Sequence, residues 1–290
     1  MTGNTGICHN CRVDSISAQS FIGVGEKMAD VVVIAGTSEA RQIIDRLLNN
    51  NVKVAATVTT GYGSELLGEH PNLRIYQGRL SGEEIAGLIT GLKAKCLVDA
   101  SHPFARDVSL NAIQACSVAQ VPYLRFEREG AKGPETDGVV CVGDFKQAAQ
   151  EVAGMDGNIL LTIGSNNLGI FTKSIPDYRK RLFARVLPES SVVAKCEAAG
   201  LVASNIIAVK GPFSYEMNLE MIKYCHARIL VTKDSGKAGG VDDKLKAAKD
   251  AGIEVVLIKK PDIRYNDTVS SIDEVVGFAE SCMARDRTVV

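Results

Sequence analysis

From Asp30 onward the sequence alternates between short β-branched runs and amphipathic stretches, and this alternation restricts the fold more than any other feature. Strands buried on both faces read as continuous apolar runs, and a helix between successive strands implies parallel crossovers. VVVIA, Val31 to Ala35, is such a run, and Ser38 to Asn50 follows it as an amphipathic helix. Further strands are expected at 52–58, 73–76, 96–100 and 123–126, with helices at 81–90 and 107–120. Ser81 ahead of Glu83 and Glu84 is a helix-start signal. The turn-rich stretch GAKGPETDG, Gly130 to Gly138, then interrupts the pattern as a boundary or hinge. Strands resume at 159–163, 183–186, 206–209, 229–231 and 255–258. The expected class is therefore α/β with parallel sheets, in two architecturally similar halves.

A chain of 290 residues accommodates two modest cores at ~100 to 200 residues each. The expected organisation is a poorly ordered leader at 1–28, an N-terminal domain at 29–130 and a C-terminal domain at 139–290. No apolar run approaches the ~20 residues that span a bilayer, so a soluble, cytoplasmic protein with no membrane partner is expected. Net charge is −1, with Lys and Arg spread along the chain, which gives no electrostatic footprint for nucleic acid. Six of the eight cysteines (Cys96, Cys116, Cys141, Cys196, Cys225 and Cys282) stand singly in apolar contexts, which suits small buried hydrophobes in a reducing compartment. The other two form CHNC, Cys8 to Cys11, before any expected strand. A structural zinc site needs four ligands, and no second pair completes this one, so no metal site is expected. The leader reads as an extension upstream of a natural start at Met28.

In an open parallel sheet, ligands bind beyond the carboxyl ends of the strands, where loops lead into helix N-termini. Gly36, Thr37, Ser38 and Glu39 occupy that place after the first strand. Gly36 lets backbone approach a phosphate, and the two hydroxyls lie beside open helix amides, an arrangement that suits an anion. With one glycine this is not the three-glycine dinucleotide fingerprint, and a plain capped helix start is the competing reading. The second strand ends in Thr59, Thr60, Gly61, Tyr62 and Gly63, without the acid that binds ribose hydroxyls in NAD-specific folds and without an arginine for an extra phosphate. DASHPFA, Asp99 to Ala105, brings Ser101 and His102 to another strand end. A serine hydrolase is discounted there because GxSxG is absent and adjacent Ser and His side chains diverge. KDSGKAGG, Lys233 to Gly240, is the densest polar and glycine cluster, and it suits a phosphate or a carboxylate-rich substrate although it is not a Walker A loop. Lys210 in KGPFS is a similar strand exit.

Taken together, GTSEA, VDASHPFA, YLRFER, RVLP, VKGPFS with Asn218, and VTKDSGKAGG followed by IEVVLIKKP resemble the precorrin-6A and cobalt-precorrin-6A reductase family of cobalamin biosynthesis, over about Val31 to Arg264. The resemblance implies two Rossmann-like domains with a cleft between them. It implies reduction of a ring double bond in a poly-carboxylate tetrapyrrole, with or without cobalt, by NADPH or NADH. Hydride goes to one carbon and a proton to its neighbour. On that reading Gly36, Thr37, Ser38, Glu39, Thr59, Thr60, Gly61 and Ser101 hold the nucleotide. Lys233 and Asp234 orient the nicotinamide amide or the reacting ring, and His102 or a water supplies the proton. Arg125, Arg128, Lys210, Ser235, Lys237, Gly239 and Gly240 meet the substrate, the arginines through bidentate contacts with carboxylates. Ala35 departs from the family, which commonly has a second glycine there, and the leader has no counterpart in it.

Two alternatives share the architecture, because fold alone does not fix activity. One is a non-catalytic nucleotide or tetrapyrrole binding module, which would bind without consuming reduced nucleotide. The other is a dehydrogenase of small alcohols, but Tyr178 is followed by Arg179, Lys180 and Arg181 and the Tyr-x-x-x-Lys pattern is missing.

Overall fold

A computed structural model of the chain describes residues 14–15, 28–127, 138–236 and 239–285. The chain divides into two compact units, one from Met1–Arg128 together with Ile263–Val290, the other from Glu129–Asp262. The domain expected at 139–290 is corrected by this: its last segment belongs with the first unit. The leader, apart from Asp14, Ser15 and Met28, lies outside the described residues, as do Cys8, His9, Cys11, Arg128 and Lys237.

The first unit contains strands β1 (Asp14–Ser15), β2 (Val31–Ile34), β3 (Val54–Val58), β4 (Leu73–Gln77), β5 (Cys96–Asp99) and β6 (Tyr123–Phe126). Its helices are α1 (Ser38–Asn49), α2 (Gly61–Leu67), α3 (Gly82–Leu92) and α4 (Arg106–Ala119). The second unit contains β7 (Val139–Val142), β8 (Asn158–Leu161), β9 (Leu182–Val186), β10 (Ile206–Ala208), β11 (Ala227–Lys233) and β12 (Glu254–Ile258). Its helices are α5 (Phe145–Ala153), α6 (Leu168–Ser174), α7 (Tyr178–Arg181), α8 (Ser190–Ala198), α9 (Tyr215–Tyr224) and α10 (Val241–Asp250). The chain then returns to the first unit with β13 (Thr268–Val269) and α11 (Ile272–Arg285).

Every strand pairing is parallel, as the β-branched runs predict. The first sheet runs β1-β4-β3-β2-β5-β6-β13. Leaving out β1 and counting in chain order, this is 3-2-1-4-5-6, the arrangement of dinucleotide-binding folds. Strand β2 shows why the sheet is double-sided. Val31 and Val33 pack with Ile43, Ile44 and Leu47 of α1 and Val275 and Ala279 of α11. Val32 and Ile34 pack on the other face with Ile85, Leu88 and Ile89 of α3 and Ala112 and Ala115 of α4. The second sheet runs β10-β9-β8-β11-β12-β7, with Leu160, Leu230 and Val255 packed against α9 and α10.

Local signals decide several helix starts. Ser81 accepts the Glu84 amide at 3.2 Å while the Glu84 carboxylate accepts the Ser81 amide at 2.7 Å, a reciprocal cap of the expected helix. The stretch 59–63, expected as a turn, opens α2 instead. Thr60 Oγ1 accepts the Gly63 amide at 3.1 Å, and the glycines at 61 and 63 mask a helix that Ser64, Glu65, Leu66 and Leu67 complete. Strand β13 is too short, and β7 too sparsely buried, to show in the sequence pattern. Of the described cysteines, Cys141 on β7 is exposed rather than buried, because β7 lies at the sheet edge.

Candidate functional site

In each sheet one pair of neighbouring strands sends its chain in opposite directions, and the loops leaving that pair open a crevice. In the first sheet the pair is β2 and β5. Gly36, in the loop after β2, has φ +127° and nothing within 4 Å of where a Cβ would stand. The backbone here is both strained for any other residue and open to a ligand. Thr37 caps α1, its Oγ1 accepting the Ala40 amide at 3.0 Å and donating to the Ala100 carbonyl at 3.1 Å. That second bond ties the loop after β2 to the loop after β5. Ser38 donates to the Glu39 carboxylate at 3.0 Å. Gly36, Thr37, Ser38 and His102 thus come together at one crevice, while Thr59, Thr60 and Gly61 lie one strand away, beyond β3.

Beneath this crevice lies a buried ion pair. Asp99 ends β5 at 0% exposure and Arg125 sits in β6 at 1%, with Nη1 2.9 Å from Asp99 Oδ1. The carboxylate also accepts the Ser101 amide at 3.0 Å, the Ser109 hydroxyl at 2.6 Å and the Tyr123 hydroxyl at 2.8 Å. Arg125 further donates to Ser101 Oγ at 3.1 Å and to the Ser101 carbonyl at 3.2 Å, and lies 5.3 Å from the Tyr265 ring centroid. Burial and the Asp99 charge push the Tyr123 hydroxyl well above its ordinary value, so it remains a donor. Two expectations are corrected here. Arg125 is not an open partner for substrate carboxylates, because Asp99 holds it inside the unit. Ser101 is 5% exposed and occupied by the same network, so its hydroxyl shapes the loop rather than facing a nucleotide. His102, next in the chain, is half-buried, and its Nδ1 accepts the Phe104 amide at 3.1 Å. The neutral ring therefore carries its proton on Nε2.

In the second sheet the diverging pair is β8 and β11. Lys233, Asp234 and Ser235 leave β11 as expected, and the loop Gly164, Ser165, Asn166 and Asn167 leaves β8 beside them. Burial lowers the Lys233 ammonium from its ordinary value. Asp234 is anchored by its amide on the Ile258 carbonyl at 2.9 Å, and Ser235 is 6% exposed. Gly239 accepts the Lys244 ammonium at 2.7 Å, and Gly240, at φ +63°, precedes α10. Lys210 lies elsewhere. It follows β10, an edge strand separated from β11 by β9 and β8, about 14 Å away at ~4.8 Å per strand.

Sequence reasoning missed Arg185 and Lys244. Arg185 in β9 is 7% exposed, donates to Asn218 Oδ1 at 2.7 Å and lies 4.1 Å from the Phe213 ring centroid. The motifs RVLP and VKGPFS and the separate Asn218 thus meet on one guanidinium. A basic residue inside an apolar strand, and Lys244 on the helix face of Val241 and Ala248, were the available signals.

The model of the family described as precorrin-6x reductase CbiJ/CobK matches residues 30–280. The cobalt-precorrin-6A reductase of Priestia megaterium is 38% identical over 247 residues, covering 85% of this chain and 96% of its own. That of Methanothermobacter thermautotrophicus is 39% identical over 244 residues, covering 82% and 78%. The solved structure titled CobK precorrin-6A reductase superposes with a TM-score of 0.70 at 22% identity, over 88% of this chain and 97% of that one, and so agrees in fold. The family match runs from Asp30 to residue 280, nearly the whole of the chain after the leader, and the chain belongs to the precorrin-6x reductase family.

Proposed function

We propose that this protein reduces a ring double bond of cobalt-precorrin-6A, or of precorrin-6A, with a reduced nicotinamide nucleotide. The observation that carries the reading, beside family membership, is the 3-2-1-4-5-6 sheet with an open Gly36 turn at its crevice. The two relatives at 38% and 39% identity are named for the cobalt-bearing substrate, which favours that form. The end of β3 carries Thr59 and Thr60 with neither a ribose-binding acid nor an arginine for an extra phosphate, so either NADPH or NADH fits this reading.

The nucleotide would supply hydride. The chain's part is to hold, orient and protonate. Gly36 and the α1 amides from Ser38 onward suit the pyrophosphate, with Glu39 and the Thr59 to Gly61 turn toward the ribose. Lys233 and Asp234 orient the nicotinamide amide or the ring being reduced. Lys237, Gly239 and Gly240 serve one carboxylate of the macrocycle, with buried Ser235 shaping their loop, and Lys210, three strands from β11, serves a separate one. His102, with Nδ1 occupied by the Phe104 amide, presents an Nε2–H donor, and His102 or a water supplies the proton.

The test is anaerobic mixing of protein with precorrin-6A or its cobalt complex and each reduced nucleotide in turn. Loss of nucleotide absorbance with a matching shift of the macrocycle spectrum is expected. Binding without oxidation under every pairing would leave only a binding module. A second expectation concerns Gly36→Ala. An alanine at φ +127° places a methyl group where the phosphate must approach, so KM for the nucleotide should rise about 10-fold or more with KM for the macrocycle little changed.

A further inference from the structure

The second unit buries two cations whose partners are all neutral. Arg185 is 7% exposed and Lys244 8%. Arg185 Nη1 donates to Asn218 Oδ1 at 2.7 Å and lies 3.4 Å from the Met221 sulfur, with the Phe213 ring against the guanidinium. Lys244 Nζ donates to the Gly239 carbonyl at 2.7 Å. Among the described residues no carboxylate pairs with either. Burying charge without a counter-charge is costly, and a second cation close by adds repulsion. Burial, with the charges of Arg185 and Lys233, pulls the Lys244 ammonium down to about 8, and burial lowers Arg185 to about 10. The three cations come from different elements, β9, α10 and the end of β11, so the cluster is a product of the tertiary fold.

Both buried groups keep donors in reserve. Nε and Nη2 of Arg185 take no partner among the described residues, and this edge offers two parallel N–H groups to a planar oxyanion. The Lys244 ammonium has donors beyond the one on Gly239. Phe213 and Asn218 hold the guanidinium in place before any ligand arrives, which limits the ordering that binding requires.

We propose that Arg185 and Lys244 form an oxyanion site toward the C-terminal end of the second sheet, taking a carboxylate or phosphate group through the Nε–Nη2 edge of Arg185 and the Lys244 ammonium. Two sources share this chemistry: a side-chain carboxylate of the macrocycle and a phosphate of the nucleotide. The identity of the source rests on the reductase reading, whereas the existence of the site does not.

Two measurements keep those apart. Thermal unfolding of the full chain is followed with inorganic phosphate or sodium acetate against potassium chloride at equal ionic strength, for the wild type, Lys244→Met and Arg185→Met. The wild type should gain stability from one or both oxyanions, and each variant should lose that gain. No gain in the wild type, or a gain kept by both variants, overturns the site whether or not the protein proves to be a reductase. Lys244→Arg and Arg185→Lys keep the charge and serve if a methionine variant fails to fold; Lys244→Arg should retain more of the gain than Arg185→Lys, which loses the paired donors. Steady-state kinetics then name the source. A KM raised roughly 10- to 100-fold for the macrocycle assigns a carboxylate, and the same rise for the nucleotide assigns a phosphate. Unchanged KM for both in variants that have lost the oxyanion gain would overturn the assignment to either reactant.

Discussion

Arg125→Leu should destabilise the first unit by about 3–5 kcal/mol, the cost of stranding one member of a buried ion pair. Asp99 is 0% exposed, and its remaining donors, the Ser101 amide and the Ser109 and Tyr123 hydroxyls, are neutral. Leucine restores the bulk and none of the charge. Urea unfolding followed by circular dichroism measures the loss. The double variant Asp99→Asn, Arg125→Leu should lose less than the sum of the two single changes, because it leaves no uncompensated charge. An additive cycle would mean that the two residues do not act as a pair. Turnover should fall as well, since Arg125 donates to both the hydroxyl and the carbonyl of Ser101 and so fixes the loop that carries His102.

Lys233→Ala and Asp234→Ala should each lower kcat by about 10²-fold with little change in the unfolding midpoint, the scale expected when one pre-positioned polar group is removed from a reacting centre. Lys233 ends β11, where burial lowers its ammonium from the ordinary value, and Asp234 is fixed through its amide on the Ile258 carbonyl, so the backbone sets where both side chains begin. Anaerobic turnover of both variants with saturating nucleotide and macrocycle is the check. Rates near wild type in both would remove these residues from the reacting centre and leave the loop a binding role.

Much of the architecture was legible in the sequence because the signals are local. Val31 to Ile34 is apolar at every position, which only a strand covered on both faces can satisfy. Ser81 and Glu84 announce their own cap. The α2 helix was not legible, since Gly61 and Gly63 weaken the pattern that Thr60 repairs. Nor was the return of residues 263–285 to the first unit. Val275 and Ala279 show that α11 has an apolar face without showing which sheet covers it.

The sequence alone determined most of the strands and the helices α1, α3 and α4, which turns could approach a ligand, and the family to which they belong. Tertiary structure alone decided the strand order, and with it which loops are neighbours. Thr37 reaches Ala100 because β2 lies beside β5. Asp99 finds Arg125 because β5 lies beside β6. Arg185 and Lys244 come near enough to feel each other's charge because β9 ends and α10 begins on the same side of the second sheet. The physical reason is that periodicity records only whether a side chain is buried, whereas the partner of a buried charge is chosen by contacts between residues far apart in the chain. A basic residue in an apolar strand therefore shows that a partner exists, and the fold decides whether that partner is Asp99 or a ligand.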